Sequence, residues 1–114
     1  VINKRKGELM ASATNIKQWQ TDFMAGLTEL NQAWKKLDSG KGKGGPDVFT
    51  FIVKFKIKLS DALFDDGIKG AAIILDSYGS IRSKDITYSS WPLFYSETRK
   101  WVTQVISPLI PPGT

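Results

Sequence analysis

Between residues 8 and 37 the large apolar side chains recur at helical spacing. Leu9, Ile16, Phe23, Leu30 and Leu37 stand seven residues apart, and Trp19, Leu27 and Trp34 fill the three- and four-residue steps between them. One wide apolar stripe of this kind predicts a long amphipathic helix. Asp38-Ser39-Gly40 supplies its stop, with Gly40 suited to the left-handed position after the last turn. Gly26 is a candidate break or kink, since glycine in a helix interior costs about 1 kcal/mol relative to alanine.

The period changes after residue 46. Phe49, Phe51, Val53, Phe55, Ile57 and Leu59 alternate with Val48, Thr50, Ile52, Lys54, Lys56 and Lys58. Strict alternation predicts a long strand over Asp47–Leu59, its first set of residues on the core side and its second set half cationic. On this reading Trp19, Phe23, Leu27, Leu30 and Trp34 pack on Phe49, Phe51, Val53, Phe55 and Ile57. Ser60–Gly67 reads as one helical turn capped by Ser60 or as a wide bend ending at Asp66-Gly67. Gly70–Asp76, with Ala-Ala-Ile-Ile-Leu at its centre, reads as a short buried strand. Ser77–Ser80 is a turn and Ile81–Ser89 a weaker strand, ended by Trp91-Pro92. Ser96 can cap a second helix running to Ser107, with Trp101, Val102, Val105 and Ile106 as its stripe. The order helix, strand, strand, strand, helix with short links predicts an α+β fold. Its two helices would cover a small antiparallel sheet of about three strands.

The chain has 114 residues and a mass of 12.7 kDa, which is room for one domain over 1–114. Two stretches fall outside its regular elements. Residues 39–46 hold a Gly/Lys-rich sequence that predicts a flexible loop, and Pro108, Pro111 and Pro112 predict an extended tail over 108–114. Six Phe, three Tyr and four Trp are enough to build a core without metal or disulfide staples. The first residue is Val rather than Met, as expected of a processed chain or an excerpt of a longer one. Lys4-Arg5-Lys6 is not followed by an apolar stretch of the kind a secretory signal needs, and no segment approaches the ~20 apolar residues of a membrane span.

Composition narrows the chemistry. With no Cys and no His, thiolate zinc sites, His-ligated haem, Ser-His-Asp triads and Cys-His dyads are all excluded. Gly40–Pro46 superficially suggests a phosphate-binding loop. However, it follows a helix, precedes the expected strand and has no Ser or Thr after either Lys, so it lacks the converging N–H groups that bind phosphate. Asp61, Asp65 and Asp66 do not have the spacing of a calcium loop, and capping or turn roles account for them. Nothing places two carboxylates together for acid–base work, which leaves a carboxylate-dependent enzyme as the least supported reading. No cofactor is expected.

The function expected from these residues is a non-catalytic structural or interaction module, a small subunit of a larger protein assembly. The polar side of the first helix is rich in uncharged residues, among them Gln18, Asn31 and Gln32, as suits burial against another protein. Leu109 and Ile110 give the tail an apolar end that can fold back or dock in a partner's groove. The alternative rests on charge. Sixteen Lys and Arg against eleven Asp and Glu leave a net charge of +5. Lys4, Arg5, Lys6, Lys41, Lys43, Lys54, Lys56 and Lys58 could contact the phosphates of a nucleic acid in the manner of a nucleocapsid protein. The strand lysines have no aromatic ring on their own face, so the pattern suits phosphate contact and not base readout. The first helix is too poor in Lys to favour a membrane surface.

Overall fold

The structure, a computed structural model, describes residues 15–36, 46–87 and 89–110. Every regular element among them is a helix. These are α1 (Asn15–Lys35), α2 (Val48–Asp65), α3 (Ala71–Gly79) and α4 (Trp91–Trp101), the last running on through a π-helical turn (Val102–Ile106) into a 3-10 turn (Ser107–Leu109). There is no strand and no sheet among the described residues, so the α+β expectation gives way to an all-helical fold. Residues 1–14, 37–45, 88 and 111–114 lie outside the described residues. So do most of the loop expected over 39–46 and the end of the tail.

The largest correction concerns residues 48–65. Val48, Ile52, Phe55, Leu59, Ala62 and Leu63 are all buried and follow helical three- and four-residue steps. A second apolar series, Phe49, Val53, Ile57 and Phe64, runs along the other side of the same helix. Interleaved over 48–59, and with Phe51 between them, the two series mimic period two. Asp47 caps the helix start, its carboxylate accepting the Thr50 backbone N–H at 3.0 Å and the Thr50 hydroxyl at 2.7 Å. That bond holds the Asp47 carboxyl below its usual pKa. Gly67, at φ 64°, ends the helix. Ile68 N–H reaches the Leu63 carbonyl at 2.9 Å and Gly67 N–H the Phe64 carbonyl at 3.1 Å, a Schellman closure that needs the left-handed residue at Gly67. Ser60 therefore sits inside α2 and caps nothing.

The remaining strand expectations fail for local reasons. Gly70–Asp76 falls almost wholly in α3, where Ala71 and Tyr78, seven apart, form the buried side. A short apolar run does not distinguish strand from helix by itself. Residues 81–87 are irregular, with Asp85 at φ 64°. Thr87 and Ser90 exchange bonds, Thr87 N–H to Ser90 Oγ at 2.8 Å and Ser90 N–H to Thr87 Oγ1 at 3.3 Å, and so open the helical path into α4. Pro92 occupies the first turn of α4, where a missing N–H costs no hydrogen bond. The second helix thus begins well before Ser96. Along it Phe94, Thr98, Val102 and Ile106 are buried four apart. Such a series drifts around an α-helix of 3.6 residues per turn, and the wider π turn keeps Val102 and Ile106 on the core side. Pro108 lies in the 3-10 turn, so the extended tail is confined to Ile110 among the described residues.

The core is predominantly aromatic. Phe23 of α1 is fully buried, with its ring centroid 4.7 Å from Trp19, 5.3 Å from Phe51, 5.4 Å from Phe55 and 6.2 Å from Tyr78. The polar ends of these rings tie the helices together. Trp19 Nε1 donates to the Phe55 carbonyl at 2.9 Å, and the Tyr78 hydroxyl donates to the Ile52 carbonyl at 2.6 Å. Burial raises the Tyr78 pKa well above the ordinary phenol range. The expected packing of α1 on residues 49–57 holds for Phe51 and Phe55. Phe49, Val53 and Ile57 face outward instead. Helix α1 is continuous through Gly26, where a Cβ would come within 2.4 Å of the Phe51 ring, so the glycine admits a close approach of α2 and makes no kink. Asp66, at the end of α2, caps α1 across the fold. Its carboxylate accepts Ile16 N–H at 2.8 Å and Asn15 N–H at 3.2 Å.

Candidate functional site

The outer side of α2 is the most distinctive surface of the molecule. Because α1 and α3 cover the inner side, the second apolar series is left facing solvent. Phe49, Val53, Ile57 and Phe64 are 46%, 42%, 63% and 64% exposed. With Ser60 between the last two, the steps are four, four, three and four residues, which keeps all five in one strip along the helix. Four large apolar residues in one continuous strip differ from scattered exposed leucines. Contiguous apolar patches of this kind mark contact surfaces. Asp61, exposed, lies one turn from both Ile57 and Phe64 on the edge of the strip.

The three lysines read as one strand face are separated by the helix. Lys54 and Lys58, one turn apart, lie on one side of the strip. Lys56 lies on the other, its Nζ 3.8 Å from where a Cβ on Gly79 of α3 would stand. Lys58 also lies over the Phe55 ring at 5.8 Å. Lys4, Arg5, Lys6, Lys41 and Lys43 lie outside the described residues.

The residues singled out on α1 and in the tail are dispersed. Gln18 is exposed and donates to Asp22 at 2.9 Å, one turn along. Asn31 is half-buried, and its Oδ1 accepts from Trp91 Nε1 at 2.9 Å, fastening α1 to α4. Gln32 is exposed on α1. Leu109 and Ile110 are half-buried against the core of their own chain. The strip on α2 is hidden in the sequence because the strand reading puts Phe49, Val53 and Ile57 on the core face and Ser60 and Phe64 in the bend that follows. The signal that could have found it is the 49, 53, 57, 60, 64 spacing.

Concavities also lie elsewhere among the described residues. One, of about 510 Å³, is bordered by Ile81, Ile86, Leu93, Phe94 and Trp101 between α4 and the loop before it. Another, of about 320 Å³, lies beside the stacked pair Trp34 and Trp91, whose centroids are 6.0 Å apart. Trp34 Nε1 is buried and has no hydrogen-bond acceptor among the described residues. Among the described residues no group of three or more Asp or Glu converges as a metal site would require. No helix among them is long and apolar enough to cross a membrane. No protein-family model matches the chain, and neither a curated protein nor a solved structure matches it.

Proposed function

We propose that the chain is a non-catalytic interaction module, a small subunit of a larger protein assembly, and that it docks through the outer face of α2. The observation that carries this reading is the continuous exposed strip Phe49, Val53, Ile57 and Phe64 on a helix whose opposite face already completes the core. A helix with two apolar faces has one more than its own fold requires. Leaving the second in water forgoes about 25 cal/mol for each Å² of apolar surface that a partner would cover. The absence of Cys and His removes the commonest nucleophiles, bases and soft metal ligands, which agrees with a binding role.

A photoreactive amino acid at Val53 or Ile57 tests this, with one at Gln104, an exposed position on the π turn, as control. In native extract the α2 positions are expected to give a discrete protein adduct that Phe64→Glu removes and that the control does not give. Adduct patterns from α2 no different from those at Gln104 would overturn the docking reading.

A further inference from the structure

We infer that the occupant of this face is a second copy of the chain, its α2 laid antiparallel across the first. The inference rests on the docking reading above and names the partner. It is carried by the charges beside the strip. Lys54, Lys58, Asp61 and Asp65 are all exposed and follow one side of α2. Helical spacing sets Lys54 one turn from Lys58 and Asp61 one turn from Asp65, so like charges are neighbours in both halves, an arrangement that disfavours an isolated helix. None of the four forms an ion pair among the described residues. The positive half lies toward the N-terminus and the negative half toward the C-terminus.

A two-fold axis crossing the helix between these halves sets the lysine half of each copy against the aspartate half of the other, on the same flank of both helices. The like-charge repulsion within each helix remains, and the attractions across the axis offset it. A parallel copy in register would carry the charged flanks to opposite sides of the seam, where neither meets the other. The same rotation carries Phe64 of one copy toward Val53 and Ile57 of the other, and Ser60, small and near the axis, lets the two backbones approach. The contact is short. An 18-residue helix spans about 27 Å, which puts the interface at or below ~1,200 Å² in total. A contact of this size suits a weak, concentration-dependent dimer.

Sedimentation velocity on the purified chain, from about 10 µM to about 1 mM, reads this directly. The wild type is expected to pass from monomer to dimer across that range. The pair Lys54→Asp with Lys58→Asp, and separately the pair Asp61→Lys with Asp65→Lys, should each remain monomeric. Mixed in equal amounts, the two variants should dimerise with about the wild-type affinity, since each then faces its opposite charge. All four positions are exposed, so far-UV circular dichroism should be unchanged by either pair. A wild type that stays monomeric throughout overturns the self-pairing. The docking reading would survive that result if the photoadduct from Ile57 had a mass other than twice the chain. A wild-type dimer that both charge variants retain, or that their mixture fails to restore, overturns the antiparallel arrangement.

Discussion

The two faces of α2 have nearly the same composition and opposite fates. Ile52 and Ile57 are five residues apart on one helix, yet Ile52 is 5% exposed and Ile57 63%. Phe55 and Phe64 differ in the same way. Residue type therefore does not decide burial here. The neighbouring helices do: α1 and α3 cover one side of α2 and leave the other open. The inner face is occupied by this chain's own fold, whereas the outer face has the chemistry of a core and nothing from the described residues to cover it.

Substitutions of one residue type on the two faces should separate them. Phe55→Ala removes a ring packed on Trp19, Phe23 and Phe51, and should cost about 3–5 kcal/mol in a denaturant titration. Phe64→Ala should change stability by no more than about 0.5 kcal/mol in the same experiment. Equal losses at the two positions would erase the distinction between the faces.

A smaller effect sharpens the inner contact. Gly26→Ala should gain little or lose stability in the wild type, because its Cβ meets the Phe51 ring at 2.4 Å. In a Phe51→Ala background the same change should stabilise by up to about 1 kcal/mol, the helix preference of Ala over Gly. A double-mutant cycle with no coupling between positions 26 and 51 would place the α1–α2 contact elsewhere. Tyr78→Phe deletes the hydroxyl bonded to the Ile52 carbonyl and should cost about 1 kcal/mol, read as a lower melting temperature.

The smallest effect concerns the start of α2 and depends on pH. The folded state holds the Asp47 pKa below its unfolded value. The contribution of this cap is therefore complete above the unfolded pKa and disappears as pH falls through the folded one. Melting temperatures of wild type and Asp47→Asn should differ more near neutrality than in strong acid. A difference independent of pH would argue that the capping charge is immaterial.

How much of this was legible in the sequence varies by segment. Helix α1 was, because its residues Ile16, Trp19, Phe23, Leu27 and Trp34 form a single stripe with a polar remainder. Helix α2 was not, because a helix with two apolar faces has no polar remainder to reveal its period. Its alternation over 49–59 satisfies the strand template as well as the helix template. Helix α3 was too short and too apolar to choose between them. Pro92 suggested an ending, whereas the missing N–H of proline is harmless in a first turn. Asp66 was legible as a capping residue but not as the cap of α1, some fifty positions earlier in the chain. The docking strip depended on getting the period of α2 right, and so was lost with it.

The claim that α2 folds through one face and binds through the other is tested most directly by placing the same charge on each. Thermal unfolding of Ile52→Glu and Ile57→Glu, followed by far-UV circular dichroism at low protein concentration, makes that comparison. A carboxylate at position 52 is buried among Phe55, Leu59 and Tyr78 and should abolish cooperative unfolding or lower the midpoint severely. At position 57 it meets water and should leave the midpoint within a few degrees of the wild type. Loss of the fold in Ile57→Glu, or a wild-type midpoint in Ile52→Glu, would contradict the two-faced helix.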